Sequence, residues 1–321
     1  MRQIRDTRVA VSRLSHGESR GSGAAVTHTS EDLWQRTEHL VRSSCGWSLQ
    51  PLRVLGRLRD GRRTWVAEGA PGLVIVKASA NPFAAARAAW APQALAALAS
   101  RGYPAPKMLW HGLLDDRWSV VVLERLPGEP LRTLDDSALE ALLALVELQR
   151  GLDVDPGGWN SAEWIERVLF DRWEGWWEAA EVAAPETSRR LHAFVEPARG
   201  YRLPAGDLVH GDLNLSNVLA EGGTITGVVD WDAIGYGSRA ADLAGLLFDW
   251  HRLRLGGRTV ATAGGTRIVN QIVTVAGDEG LRYAIGYGAV ARLGLAAQRG
   301  EHADLATWRR VVDEMLERLG A

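Results

Sequence analysis

"LVHGDLNLSNVLAEGGTITGVVDWD", Leu208 to Asp232, places one histidine, three aspartates and two asparagines within 25 residues. Apolar runs of strand type flank the acceptor-rich pieces "HGDLNLSN" and "DWD". Asp and Asn often do no more than close turns through side-chain hydrogen bonds to the backbone. The order of the residues suggests a second reading. Asp212 and Asn217 stand five apart on a tight loop, and an apolar strand 13 residues beyond Asn217 ends at Asp230. An amide oxygen and a carboxylate on neighbouring loops form a hard oxygen site suited to Mg²⁺, which retains waters and binds phosphate. Asp212, preceding the Asn, is placed to accept a proton from an attacking hydroxyl.

The composition sets the frame. The 321 residues are 46% hydrophobic and 24% charged, those of an ordinary globular chain with a sizeable core. A net charge of −2 gives no electrostatic case for nucleic acid or an anionic membrane as partner. The single cysteine, Cys45, excludes an internal disulfide and is expected in a reducing cytoplasm. No apolar run reaches the roughly 20 residues that span a bilayer, and the N-terminus has no secretory h-region. Of 37 basic residues only Lys77 and Lys107 are lysines.

Residues 1–29, polar and without sustained periodicity, are expected to form a disordered tail. A helix begins at the N-cap candidate Ser30. Three β-type runs follow, "PLRVLGRLR", "RRTWVAE" and "GLVIVKAS", separated by the turn signals "DG" and "GAPG". An Ala-rich helix over 82–100, the run "MLWHGLL" and the strand "WSVVVLERL" complete a small β-rich lobe, and "PGEPL" marks its end. Helices are expected at 135–150, 161–182, 186–197, 239–253, 267–277, 279–299 and 302–319, with a flexible linker at 256–266. Strands segregated from helices give an α+β class. The expected division is 30–125 and 126–321.

"HGDLNLSN" and "DWD" resemble the catalytic and metal loops of the aminoglycoside phosphotransferase family, small-molecule kinases related to protein kinases, whose comparable patterns are H-R-D-x-x-x-x-N and D-F-G. The resemblance, over roughly residues 50–250, implies a two-lobed protein-kinase-like fold with a small antiparallel lobe, one long helix and a larger helical C-terminal lobe. It implies that ATP (or GTP) and Mg²⁺ are used. Asp212 would be the catalytic base, with His210 supporting its loop. Asn217 and Asp230 would be the metal ligands, with Asp232 either an outer-shell contact or a turn former. Asp242, in "SRAADLAGLL", would hold the loop from beneath.

The N-terminal half supplies matching pieces. Lys77 ends the third strand, where the kinase fold places its phosphate lysine. "SVVVLERLPGEPL" resembles the adenine-receiving hinge, so main-chain contacts are expected at Glu124 and Leu126. The phosphate-covering turn should lie near Leu58 to Arg62. One piece departs from the pattern: "AARAAWAPQALAALASRG" carries no acidic residue to pair with the lysine. Ala91 falls near the position of the usual glutamate, Gln93 is the nearest polar side chain, and Pro92 is expected to disturb the helix. Lys77 is therefore expected to be mobile without nucleotide, or held by an uncharged partner such as Gln93, or by a carboxylate from elsewhere, foremost Asp230.

The resemblance also bears on the acceptor. The helix "SAEWIERVLFDRWEGWWEAAE" brings Trp173 and Trp177 near one stripe and Asp171, Glu174 and Glu178 onto a helical spacing. These are core and solvated-face patterns first, and candidate acceptor-binding residues second. Asp242 follows Asp230 by only 12 positions, leaving no room for a protein-kinase activation segment. The expected reaction is γ-phosphoryl transfer to a hydroxyl of a small molecule, foremost an antibiotic of aminoglycoside, nucleoside or peptide type. A metabolic kinase of choline, homoserine or sugar type is the alternative, and a non-catalytic nucleotide-binding module is the alternative of another class.

Overall fold

The structure, a computed structural model, describes residues 30–59, 61–116, 118–152 and 160–320. The expected tail at 1–29 and part of the phosphate-covering turn lie outside these residues.

The N-terminal lobe is a five-stranded antiparallel sheet: β1 (Gln50–Arg59), β2 (Arg62–Gly69), β3 (Gly72–Ser79), β4 (Met108–Leu113) and β5 (Ser119–Glu124), in the order β1-β2-β3-β5-β4. The turn between β2 and β3 falls at the signal "GAPG". Alternate residues of β3 (Val74, Val76, Ala78) are buried, the period-two pattern of a strand with one face on a core. They pack with Trp65, Val120 and Val122 under helix α1 (Ser30–Cys45), which contributes Leu33, Trp34 and Val41. That register sends Lys77 to the opposite face.

Helix α2 (Pro82–Ser100) crosses that opposite face and continues through Pro92, so the expected disturbance does not occur. A proline costs the helix one amide bond, and here Ala91, Ala94, Leu95 and Leu98 bury the same stretch in the main core. Tertiary packing overrides the local preference.

The C-terminal lobe contains α3 (Asp136–Glu147), α4 (Ser161–Phe170), α5 (Trp176–Ala183), α6 (Pro185–Val195), α7 (Ala240–Leu255), α8 (Gly264–Gln298) and α9 (His302–Arg318). Small sheets hold the loops of interest. Strand β6 (Glu129–Pro130) pairs with β8 (Val218–Glu221), which pairs with β9 (Thr224–Val228). Strand β7 (Asp207–Val209) pairs with β10 (Gly235–Gly237).

Two expectations need correction. The helix expected over 161–182 is two helices, because Arg172, Glu174 and Gly175 all take positive φ (55°, 70° and 66°). Three left-handed residues cannot sit in a right-handed helix, so the chain turns there and the apolar stripe is broken. The expected linker at 256–266 is tied down: Ala261 N–H donates to Leu134 O at 2.7 Å and the Trp250 indole donates to Ala261 O at 2.9 Å. The separation of 267–277 from 279–299 survives as a break inside α8 at Gly277, with φ 69° and ψ −175°.

Candidate active site

The site is assembled around one buried carboxylate. Asp242, in the first turn of α7, is 1% exposed. It accepts from His210 N–H at 2.8 Å, from Gly211 N–H at 2.9 Å and from the Gln149 amide at 2.9 Å. Three donors converge on it, which fixes the loop that follows β7. Gly211 has φ 80°, and a Cβ there would run into Ala233 O, so both its backbone angle and the close approach of the 231–233 turn require glycine.

His210 is fully buried and bridges the two loops. Its Nε2 lies 2.9 Å from Val229 O and its Nδ1 3.2 Å from Asp212 N–H. Those partners define the neutral tautomer with the proton on Nε2. Asn217 donates its amide nitrogen to Asp212 O at 2.9 Å, which turns its amide oxygen away from that loop. Val229 N–H donates to Asn217 O at 2.8 Å, so Asn217 and Asp230 emerge from adjoining strand ends. Asp249 caps the same loop from below, accepting from Leu215 N–H at 2.6 Å.

Asp230 takes φ 66°, a left-handed conformation rare for a residue with a side chain. It aims the carboxylate across the cleft at Lys77. The Lys77 ammonium contacts both Asp230 and Asp232, the latter at 2.8 Å. Burial disfavours its charge, but Asp232 and Asp230 more than offset that and hold it above the usual lysine range. Asp230 is lowered in turn: burial would raise it, and Lys77 outweighs the burial. The expected Lys77–Asp230 pair is present. Gln93 is exposed and takes no part.

Asp212 is exposed and, like Asn217, does not line the cavity that holds Lys77; desolvation by the surrounding protein nevertheless raises its pKa, and the charge of Asp230 adds to this. Lys77, Asp230 and Asp232 line a cavity with Arg62, Arg87 and Met108. Glu124 and Leu126 do not line it. The Glu124 N–H donates to Lys107 O at 2.9 Å, and Leu126 packs against Gly227.

The acceptor-side expectations fare unevenly. Trp177 is fully buried, stacked on His192 at 3.8 Å, with its indole donating to Leu169 O. It is core, not a ligand contact. Trp173 is 43% exposed, with the Arg167 guanidinium 3.9 Å over its ring. Asp171 and Glu174 are exposed at the break between α4 and α5, and Glu178 is paired with Arg172 at 2.7 Å. The break instead aligns Trp164, Trp176 and Tyr287 as a partly exposed aromatic wall, with centroids 6.5 Å and 6.3 Å apart. The Tyr287 hydroxyl, raised mainly by burial, is also raised by the charge of Asp212. Sequence reasoning missed Trp164, Tyr287 and Arg87. The first two could not be found without the break. Arg87 had a signal, being the lone charged residue in the 19 residues of α2.

A two-lobed frame with this loop pair defines a kinase-like phosphotransferase. The model of the phosphotransferase enzyme family (APH) matches residues 52–266, and the chain belongs to that family. It is therefore a small-molecule kinase acting on hydroxyls. No curated protein sequence matches it. Among solved structures it is similar to a thermostable mutant of aminoglycoside phosphotransferase APH(4)-Ia in ternary complex with ADP and hygromycin B. The two are 17% identical, with 87% of this chain and 97% of that chain covered and a TM-score of 0.63. It is also similar to macrolide 2'-phosphotransferase type I (16% identity, 89% and 98% covered, TM-score 0.56). A third is aminoglycoside phosphotransferase APH(3'')-Id from Streptomyces rimosus (16%, 81% and 98%, TM-score 0.53). At such identities the likeness concerns the fold.

Proposed function

We propose that the protein transfers the γ-phosphoryl group of ATP (or GTP) to a hydroxyl of a small antibiotic-like molecule. The observation that carries this reading is that the loop bearing Asp212 and Asn217 adjoins the strand end bearing Asp230, whose carboxylate pairs with Lys77 from the other lobe. Asp212 is the base that orients the acceptor hydroxyl and takes its proton. Its raised pKa makes it a better proton acceptor than an ordinary aspartate. Lys77 neutralises phosphate charge. Asn217 and Asp230 suit Mg²⁺: their oxygens are hard donors on adjoining strand ends, and a two-ligand protein contribution leaves room for waters and phosphate. Bound there, Mg²⁺ would neutralise charge developing on the transferred group. Catalysis by these residues is chiefly positioning and electrostatics.

The nucleotide ring is expected beside Met108 and Leu123 on the apolar side of the cavity; main-chain contacts from Glu124 and Leu126, which lie outside its lining, rest on the family resemblance alone. The wall of Trp164, Trp176 and Tyr287 is the acceptor surface, suited to stacking on a ring face. Glu178 and Glu181 are both engaged by Arg172, at 2.7 Å and 2.6 Å, which favours an acceptor held by ring contacts over one drawn by these carboxylates. Incubation with nucleotide and a panel of antibiotics and of metabolic alcohols, read by mass spectrometry for the gain of one HPO₃, tests the proposal. A product with a choline-, homoserine- or sugar-type acceptor alone would replace the antibiotic with a metabolic substrate. No product with any acceptor and no nucleotide consumption would leave a nucleotide-binding module.

A further inference from the structure

Helix α2 has no carboxylate to hold Lys77, and the structure provides a different arrangement at the same place. Arg87 and Ala91 lie one turn apart on α2 and both line the cavity that contains Lys77. The Arg87 guanidinium donates to the main-chain carbonyl of Asp232. The Asp232 carboxylate in turn accepts from Lys77 at 2.8 Å and lies 3.7 Å from Arg62. The connection from helix to lysine thus runs through the 230–232 turn, with its charge order inverted: a cation on the helix, an anion on the turn, a cation on the strand.

We propose that Asp232 is the positioning residue that anchors Lys77 in this protein, and that Arg87 is the residue of α2 that sets Asp232. Division of labour supports the assignment. Asp230 is the carboxylate on the metal side, next to Asn217, so a second carboxylate is needed to hold the ammonium once the first is engaged. Arg87 is the one charge that α2 carries, and it is spent on a turn carbonyl 145 residues away. In a partly desolvated cleft such a donor restrains the turn far more than it would in water. The inference rests on the proposed phosphate-side role of Lys77.

Because the chain has two lysines, the arrangement can be read directly. Competitive acylation of nucleotide-free protein, with peptide mass spectrometry, gives the ratio of Lys77 to Lys107 labelling. Lys107 is exposed and serves as the internal reference. Asp232→Asn is expected to raise the ratio about tenfold or more. Arg87→Ala (or Arg87→Gln, if the alanine variant does not unfold cooperatively) is expected to raise it several-fold, and Arg87→Lys to leave it near wild type. If Arg87 does not hold the turn, its removal leaves Lys77 seated on Asp232 and the ratio does not rise. An unchanged ratio in Asp232→Asn, or no rise in Arg87→Ala, overturns the proposal. Labelling needs no turnover, so its failure leaves the phosphoryl-transfer reading standing, and absence of turnover leaves the labelling result standing.

Discussion

Two aspartates in this site do opposite work, and their surroundings separate them. As the proposed base, Asp212 must be ionised to take a proton, and its pKa is raised, chiefly by burial. Activity therefore falls as pH falls through that pKa, and the acid limb of kcat/KM should lie above the ordinary aspartate range. A profile flat down to the usual carboxylate region would contradict this. Asp242 is never meant to exchange protons. It accepts three hydrogen bonds from groups with no water available. Asp242→Ala leaves two main-chain donors and one amide unpaired, at roughly 1–3 kcal/mol each. A loss of about 3 kcal/mol or more in urea unfolding is expected, and a loss under about 1 kcal/mol would show that Asp242 does not organise the loop. At this scale most of the candidate site was legible: His210, Asp212, Asn217 and Asp230 stand in order on short loops ahead of Asp242 in the first turn of α7, and Lys77 stands out where arginine supplies nearly every other cation. Arg87 was legible only as the lone charge of α2; its hydrogen bond to a main-chain carbonyl leaves no trace in side-chain patterns.

Elements explain why the proposed acceptor wall could not be read in advance. The residues from 161 to 182 have helical apolar spacing, and only the left-handed run Arg172, Glu174 and Gly175 shows that the helix cannot continue. Once it breaks, Trp177 turns into the core and Trp176 faces Tyr287 on α8. Helix α5 approaches α8 where Gly294 has no side chain. A Cβ there would lie 2.5 Å from the Trp176 Cβ and 2.6 Å from its main-chain oxygen. Gly294→Ala must therefore push the helices apart. Overpacking of this kind costs about 1–3 kcal/mol, and displacement of Trp176 should raise the acceptor KM more than the nucleotide KM. Equal shifts in both would detach the wall from acceptor binding. Pro92 teaches the converse lesson: α2 tolerates it because Ala91, Ala94, Leu95 and Leu98 are buried on a large core.

At the scale of the molecule, the α+β class and the segregation of strands from helices were readable because turn signals and strand runs fall before residue 125 and helical periodicity after it. What joins the halves was not. Lys77 reaches Asp230 and Asp232 across more than 150 residues of chain. Nucleotide binding should therefore report on both lobes. At a hundredfold excess over Kd, Mg²⁺-nucleotide should stabilise the protein by about 2.7 kcal/mol, seen as a rise in Tm. Asn217→Ala and Asp230→Ala should each lose most of that rise at the same concentration. Full retention in both variants would move the metal ligands elsewhere.

We infer that the site formed by Lys77, Asp230 and the Asp212 loop transfers a phosphoryl group, with Asp212 as the base. The most direct measurement is nucleotide consumption together with product mass, for wild type and Asp212→Asn, with an acceptor found in the panel. Phosphorylated product is expected from wild type, with a fall in kcat of about 10²-fold or more in Asp212→Asn, on the scale of general-base catalysis, and nucleotide Kd nearly unchanged. Product formation by Asp212→Asn within about tenfold of wild type, roughly 1.4 kcal/mol of barrier, would contradict this assignment.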